Sequence, residues 1–291
     1  MNSIKKMMLS GALGCLISGM AYADGSSPQP VKPYWQDIQV VAVNKEKPRS
    51  SFMSYADRET ALTSRFEKSP YYSLLNGTWK FFFVDSYKDL PQNITDPSVN
   101  TSSWDDITVP GNWEVQGHGV AIYTNHGYEF KPKNPHPPLL PEANPVGVYR
   151  RDIEIPANWD NRDIYLHIGG AKSGLYVYLN GKEVGYSEDS KNPAEFLINK
   201  YLQPGKNVLT LKIFRWSTGS YLECQDFWRM SGIERDVFLW SQPKASIQDF
   251  RVVSTLDDTY TNGIFNWYSE CEFLYPADSH LNISALQARI C

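Results

Sequence analysis

Apolar and polar residues alternate in short runs along most of the chain, and Gly, Pro and Asn separate the runs. Alternation sends successive side chains to opposite faces of a strand, so one face of each run can be buried. Strands are predicted over 79–84, after the tight turn Leu75-Asn76-Gly77-Thr78, and again over 162–168 and 207–216. The segment GLYVYLNGKEVGYS at 174–187 carries Asn180-Gly181 at its centre, the strongest short-range hairpin signal. One short helix is predicted over 57–69, where Asp57 can cap it and Ala61, Leu62 and Phe66 recur at helical spacing. Strands at this spacing without long amphipathic helices predict an all-β fold, an antiparallel sandwich of jelly-roll kind. Trp113 and Trp228 are assigned to its core.

The sandwich pattern closes near Gln242-Pro243, and ASIQDFRVVST at 245–255 reads as the first strand of a further β domain. The residues from 243 onward are fewer than the roughly 100 that an immunoglobulin-like sandwich needs, so an incomplete domain is expected over 243–265. The last stretch, 266–291, shows neither a sustained period of two nor a capped helix and is expected to be a truncated or aberrant tail. The Pro-rich segment KPKNPHPPLLPEANP at 131–145 cannot be a central strand and is expected as a surface connector. The sandwich itself is expected over 35–242, after a flexible Ser/Pro/Gln-rich lead-in at 24–34.

With 291 residues, 42% of them hydrophobic, the chain can bury a sizeable core. Lys5 and Lys6, an apolar run over 7–20 and Ala21-Tyr22-Ala23 have the layout of a secretory signal peptide, 1–23, with cleavage expected after Ala23. A secreted or periplasmic bacterial protein is therefore expected. No later segment approaches the roughly 20 apolar residues of a membrane span. Without the two signal lysines, 26 basic residues face 32 acidic ones, a net charge of −6 that disfavours nucleic acid as a partner. Cys224, Cys271 and Cys291 are too few and too scattered for a disulfide framework or a zinc site.

Candidate chemistry concentrates in SYLECQDFWRMSGIERDVFLW at 220–240. Glu223, Gln225 and Asp226 place acceptors and an amide beside Tyr221, Phe227 and Trp228, the mixture that a hydroxyl-rich ligand requires. A retaining glycosidase needs two carboxyl groups about 5 to 5.5 Å apart. Only Glu188 with Asp189 and Glu223 with Asp226 come into question, and neither pair is convincing. Neighbours on a strand point apart, and nothing in the sequence raises the pKa of one member. There is no Gly-x-Ser-x-Gly elbow and no phosphate-cradling glycine loop.

Five segments in order, WQDIQVVAVNKEKPRSSF, SLLNGTWKFFF at 73–83, VPGNWEVQGHGVAIYTNHGYEF at 109–130, VGVYRRDIEIP at 146–156 and the 220–240 run, resemble glycoside hydrolase family 2, specifically its β-galactosidases. The resemblance implies an N-terminal sugar-binding jelly roll followed by the start of an immunoglobulin-like domain. It implies a parent activity of hydrolysing terminal β-galactosides with retention. In that family the two catalytic glutamates sit in a separate (β/α)₈ barrel, whose motifs are absent here. The chain is thus expected to be inactive alone and to have that barrel as its missing partner, within a homo-oligomer. The resemblance further implies substrate contacts from Asn125 and Asp226, with Asp226 also a ligand of sodium. Sodium, and magnesium besides, belong to the full-length family enzyme, and tight binding to this chain alone is not expected. The competing interpretation of Asp226 is an ion pair with Arg229 or Arg235. The competing functional classes are a free-standing carbohydrate-binding module and a β-glucuronidase or β-mannosidase relative.

Overall fold

The computed structural model describes residues 32–130 and 136–273, of which all but Lys32 fall in one compact unit. The larger of its two main sheets has seven strands. In spatial order they are β1 (Ala42–Val43), β11 (Lys182–Ser187), β10 (Gly174–Leu179), β13 (Lys206–Phe214), β7 (Val146–Glu154), β3 (Gly77–Val84) and β4 (Asp105–Val109). The smaller sheet has four: β12 (Ala194–Leu197), β8 (Arg162–Ile168), β16 (Val237–Pro243) and β2 (Tyr72–Leu74). All the pairings in both are antiparallel.

The core lies between these sheets, and the alternation seen in the sequence is what builds it. Val177 stands opposite Leu211, and Leu211 opposite Tyr149, so inward side chains line up across three strands. They meet Leu166, Phe196, Val237 and Leu239 from the smaller sheet in one apolar cluster. The intervening residues are not solvated. Tyr176, Tyr178, Val148 and Phe214 on the outer face of the larger sheet are covered by Trp35, Ile94 and Trp104. Tyr165, Phe238 and Trp240 on the outer face of the smaller sheet are covered by Met53, with Tyr55 and Phe66 against them. Burial on both faces explains why the expected period of two is only partial in these strands.

The Asn180-Gly181 hairpin forms as predicted, with φ of 52° and 77°, the left-handed pair that a two-residue turn of this hand requires. The helix is shorter than predicted. It spans Arg58–Leu62 with Asp57 accepting from the Thr60 amide at 2.8 Å, and a separate 3₁₀ turn follows at Phe66–Lys68. Ser64 at φ 53° breaks the helix, and exposed Leu62 gives it no apolar seam to continue along. Residues 136–145 of the Pro-rich segment form no strand, and buried Asn144 pins their exit by bonding Trp216 through both its side-chain atoms.

A long hairpin follows the sandwich: β17 (Ala245–Leu256) pairs with β18 (Gly263–Phe273). The stretch from Asn266, assigned no strand on its pattern, is therefore in a strand as far as Phe273; its pairing to β17 supplies what local periodicity does not show. The rest of that stretch, like the segments 1–31 and 131–135, lies outside the described residues.

Candidate functional site

Two small sheets decorate the sandwich. β5 (Gly111–Asn112), β15 (Gly232–Ile233) and β9 (Ala171–Lys172) form one, while β6 (Ile122–Thr124) and β14 (Phe227–Arg229) form a two-stranded ribbon. In the ribbon Thr124 pairs with Phe227, Tyr123 with Trp228 and Ile122 with Arg229. Asn125 and Asp226 are each one residue beyond the Thr124–Phe227 pair. The antiparallel register thus brings these two exposed residues, far apart in sequence, to the same end of one ribbon.

Asp226 does not pair with either arginine that sequence proximity offers. Arg229 donates to the carbonyls of Glu223 (2.7 Å) and Gln225, and Arg235 donates to those of Gly169 and Lys191. Asp226 Oδ1 instead accepts the Tyr123 hydroxyl at 2.7 Å. That contact, with the Asp226 charge, raises the Tyr123 pKa. Tyr123 also meets Trp228 edge to face at 5.6 Å. Trp228 is 49% exposed, which corrects its assignment to the core; it stands on a two-stranded ribbon with no sheet packed over it. Trp113, at 0% exposed, is core as expected. Tyr221 is buried too, packed on Tyr128 and Phe130 with its hydroxyl on the Leu139 carbonyl, and so does not face a ligand.

The two carboxylate pairs separate into different roles. Glu188 is buried and accepts from Thr218 Oγ1 at 2.7 Å, the Gly219 amide at 3.2 Å and the Tyr186 hydroxyl at 3.3 Å, which makes it a tie between strands and turn. Asp189 faces outward to Lys45 and Asn192. Glu223 accepts the Ser190 amide at 3.1 Å, whereas Asp226 sits on the exposed ribbon. Buried Glu188 and outward Asp189 therefore do not converge, whereas Glu223 and Asp226 line one cleft.

Beneath the ribbon lies a charged layer that the sequence pattern did not reveal. Lys172 and Glu129 form an ion pair at 2.8 Å with side chains 3% and 5% exposed. Arg215 lies 3.7 Å from both Glu129 and Glu114 and donates to the carbonyls of Val120 (2.9 Å) and Arg229 (3.2 Å). Glu114 in turn accepts the Ser231 amide with both oxygens. Buried charges persist only when paired and hydrogen-bonded, so this layer fixes the loops that carry the ribbon. The signal for it would have been charged residues inside otherwise apolar stretches.

Sodium fits these residues only in part. Asp226 offers one oxygen not engaged by Tyr123, whereas hard cations take several oxygen ligands. Among the described residues, no group of three or more His, Cys, Asp or Glu is placed to hold a metal ion. None of their helices is long and apolar enough to cross a membrane.

The family model described as glycosyl hydrolases family 2, sugar binding domain, matches residues 72–243. The chain belongs to this family. It is 41% identical over 234 residues to a β-galactosidase of Priestia megaterium, covering 79% of this chain and 23% of that protein. It is 40% identical over 225 residues to a β-galactosidase of Actinobacillus pleuropneumoniae, covering 77% and 22%. The chain thus spans less than a quarter of the length of these relatives. Among solved structures, a β-glucuronidase from an uncultured Clostridium sp. matches with a TM-score of 0.51 at 23% identity over 69% of this chain and 33% of that one. A β-glycosidase from Bacteroides vulgatus matches with a TM-score of 0.52 at 21% identity over 70% and 24%. These two likenesses concern the fold, the family 2 β-sandwich.

Proposed function

We propose that this chain is the sugar-binding part of a family 2 β-galactosidase, an enzyme that hydrolyses terminal β-galactosides. The observation that carries the reading is the meeting of Asn125 and Asp226 at one exposed ribbon end, in a chain 41% identical to a β-galactosidase. An amide both donates to and accepts from sugar hydroxyls, and a carboxylate accepts from two. The Tyr123 hydrogen bond holds one carboxylate oxygen and leaves the other for a galactose hydroxyl or for sodium.

In this reading the catalytic carboxylates, and the remaining oxygens around sodium, belong to the portion of the relatives beyond the matched region. The chain acts by binding and orienting the sugar at the edge of that portion, in an exported, oligomeric bacterial enzyme. Splitting a sugar site between two domains ties specificity to their contact, because a pocket discriminates through the hydrogen bonds it completes.

The test is a chimera in which residues 35–256 of this chain replace the matching part of the Priestia megaterium β-galactosidase. Release of nitrophenol from a nitrophenyl β-galactoside, lost on Asp226→Ala and reduced on Asn125→Ala, is the expected result. A folded chimera that prefers the β-glucuronide or β-mannoside over the galactoside would overturn the reading.

A further inference from the structure

Two buried polar atoms in one cleft have no hydrogen-bond partner: the Ser190 hydroxyl and Glu223 Oε2. Ser190 is only 9% exposed. Unpaired buried polar atoms are uncommon in folded proteins and mark places where a ligand or an ordered water completes the bonding. Burial pushes the Glu223 carboxyl up. The Ser190 amide and hydroxyl offset part of that rise, the hydroxyl lying near the carboxyl without hydrogen-bond geometry. The floor of the cleft therefore offers both an acceptor and hydroxyl-type donors.

The cleft, about 510 Å³, is lined by Ser190 and Glu223 together with Asp226, Phe227 and Trp228. Both aromatics are about half exposed, at 52% and 49%. The lining cations are already engaged. Lys172 is paired with Glu129, Lys191 with both oxygens of Glu234, and the two arginines with backbone carbonyls. An anionic ligand would thus meet no uncommitted charge among these residues, and a purely apolar one would leave the floor unsatisfied. A neutral ring with hydroxyls on its edge and an apolar face satisfies both.

We infer that this cleft is a hexose subsite in its own right, with Ser190 and Glu223 binding hydroxyls and one of the two exposed ribbon aromatics, which point to opposite faces of β14, taking the apolar ring face. The inference rests on the carbohydrate reading above and extends it. The ligand is then a galactosyl oligosaccharide, with one sugar at the ribbon end and the next in the cleft.

The test is an amide NMR titration of the chain with lactose and galactose, with glycerol as a control polyol. Lactose is expected to shift Ser190, Glu223 and Trp228 and to saturate at lower concentration than galactose. Ser190→Ala should weaken lactose by about two- to tenfold, the value of one hydrogen bond. The variant should stay folded, with a melting temperature lowered at most slightly at pH 7, since the deleted hydroxyl makes no well-formed hydrogen bond and only eases the nearby Glu223 charge. Glu223→Gln, which keeps an acceptor for the Ser190 amide, should likewise weaken lactose without unfolding the chain. Shifts at Asn125 and Asp226 alone would overturn the cleft inference while leaving the galactoside reading standing. Absence of any saturable shift, or glycerol shifting the same residues as strongly, would also overturn it, and the chimera assay would still judge the parent activity. A Ser190→Ala protein that melts earlier yet binds lactose unchanged would show that the two atoms serve each other, not a ligand.

Discussion

Glu195 and Glu223 are both largely buried carboxylates, on opposite terms with their surroundings. Glu195, on β12, accepts from Arg49 at 2.9 and 3.1 Å, from Trp240 Nε1 at 3.1 Å, and bonds His167 Nδ1 at 2.8 Å. Burial alone would raise its pKa, but His167 and Arg49 outweigh it and the net shift is downward. Glu223 has one backbone amide, one bare oxygen and a pKa raised by burial. A carboxylate with both oxygens bonded holds a fold together, whereas one with a bare oxygen is available to something else.

The largest expected effect breaks the satisfied member. Glu195→Ala leaves the Arg49 guanidinium, stacked 4.2 Å from the Trp240 ring, without its carboxylate. Removing one partner of a buried pair costs about 3–5 kcal/mol, so urea unfolding should show a loss of that order. Arg49 also begins the segment that ties the sandwich to the long hairpin, through the Ser50 amide on Asp249 at 2.8 Å. Earlier exchange of amides in β17 should accompany the loss. An unfolding midpoint within error of the parent would refute a structural role for Glu195.

A comparable contrast separates two tryptophans. Trp113→Ala opens the main cluster between the sheets and should cost about 3–5 kcal/mol, as large aromatic truncations in cores do. Trp228→Ala, on the exposed ribbon, should change stability by no more than about 1 kcal/mol while weakening any sugar contact. Equal losses from both would mean that the ribbon is part of the core.

The pH dependence of the two carboxylates should have opposite sign. Glu195, with its folded pKa depressed, contributes stability that is fully present above the unfolded value near 4.5 and is lost as pH falls through the folded value. Glu223 is raised, so its ionisation costs stability as pH climbs from the unfolded value through the folded one. Glu223→Gln should therefore raise the melting temperature at pH 7 and change it little at pH 4. Glu195→Gln should lower it at pH 7, with the deficit shrinking toward acid. Parallel pH profiles for the two variants would remove the distinction drawn between these carboxylates.

How much of this was legible in the sequence depends on how local each signal is. The Asn180-Gly181 turn and the inward residues of β10 and β13 announce themselves within a few positions. Strand β18 was missed because its evidence is its partner, with Trp267 stacked on Phe250 at 4.7 Å. Asp226 stands out in the local polar and aromatic cluster, whereas Asn125, and its meeting with Asp226, is reached through family resemblance alone, because no local pattern joins residues on two separate strands. The Lys172–Glu129 pair and the Ser190–Glu223 floor were illegible for the same reason, being made by residues 43 and 33 positions apart. Trp228 was misjudged because a strand aromatic reads as core whether or not a second sheet covers it.

The smallest expected effect is the sharpest test of the ribbon. Tyr123→Phe removes only the hydroxyl that Asp226 Oδ1 accepts, at a site already exposed, so stability should change by less than about 0.5 kcal/mol. The aromatic contact with Trp228 remains. What changes is the freedom of the Asp226 carboxylate, which loses its one side-chain anchor among the described residues. In the chimera, a raised KM with little change in kcat would mean that Tyr123 pre-orders the carboxylate for sugar equally in the bound and transition states. A fall in kcat alone would mean that the anchored geometry matters only as the glycosidic bond breaks. An unchanged chimera would show that Asp226 is held by groups outside this chain, leaving the Tyr123 contact without a role in substrate binding.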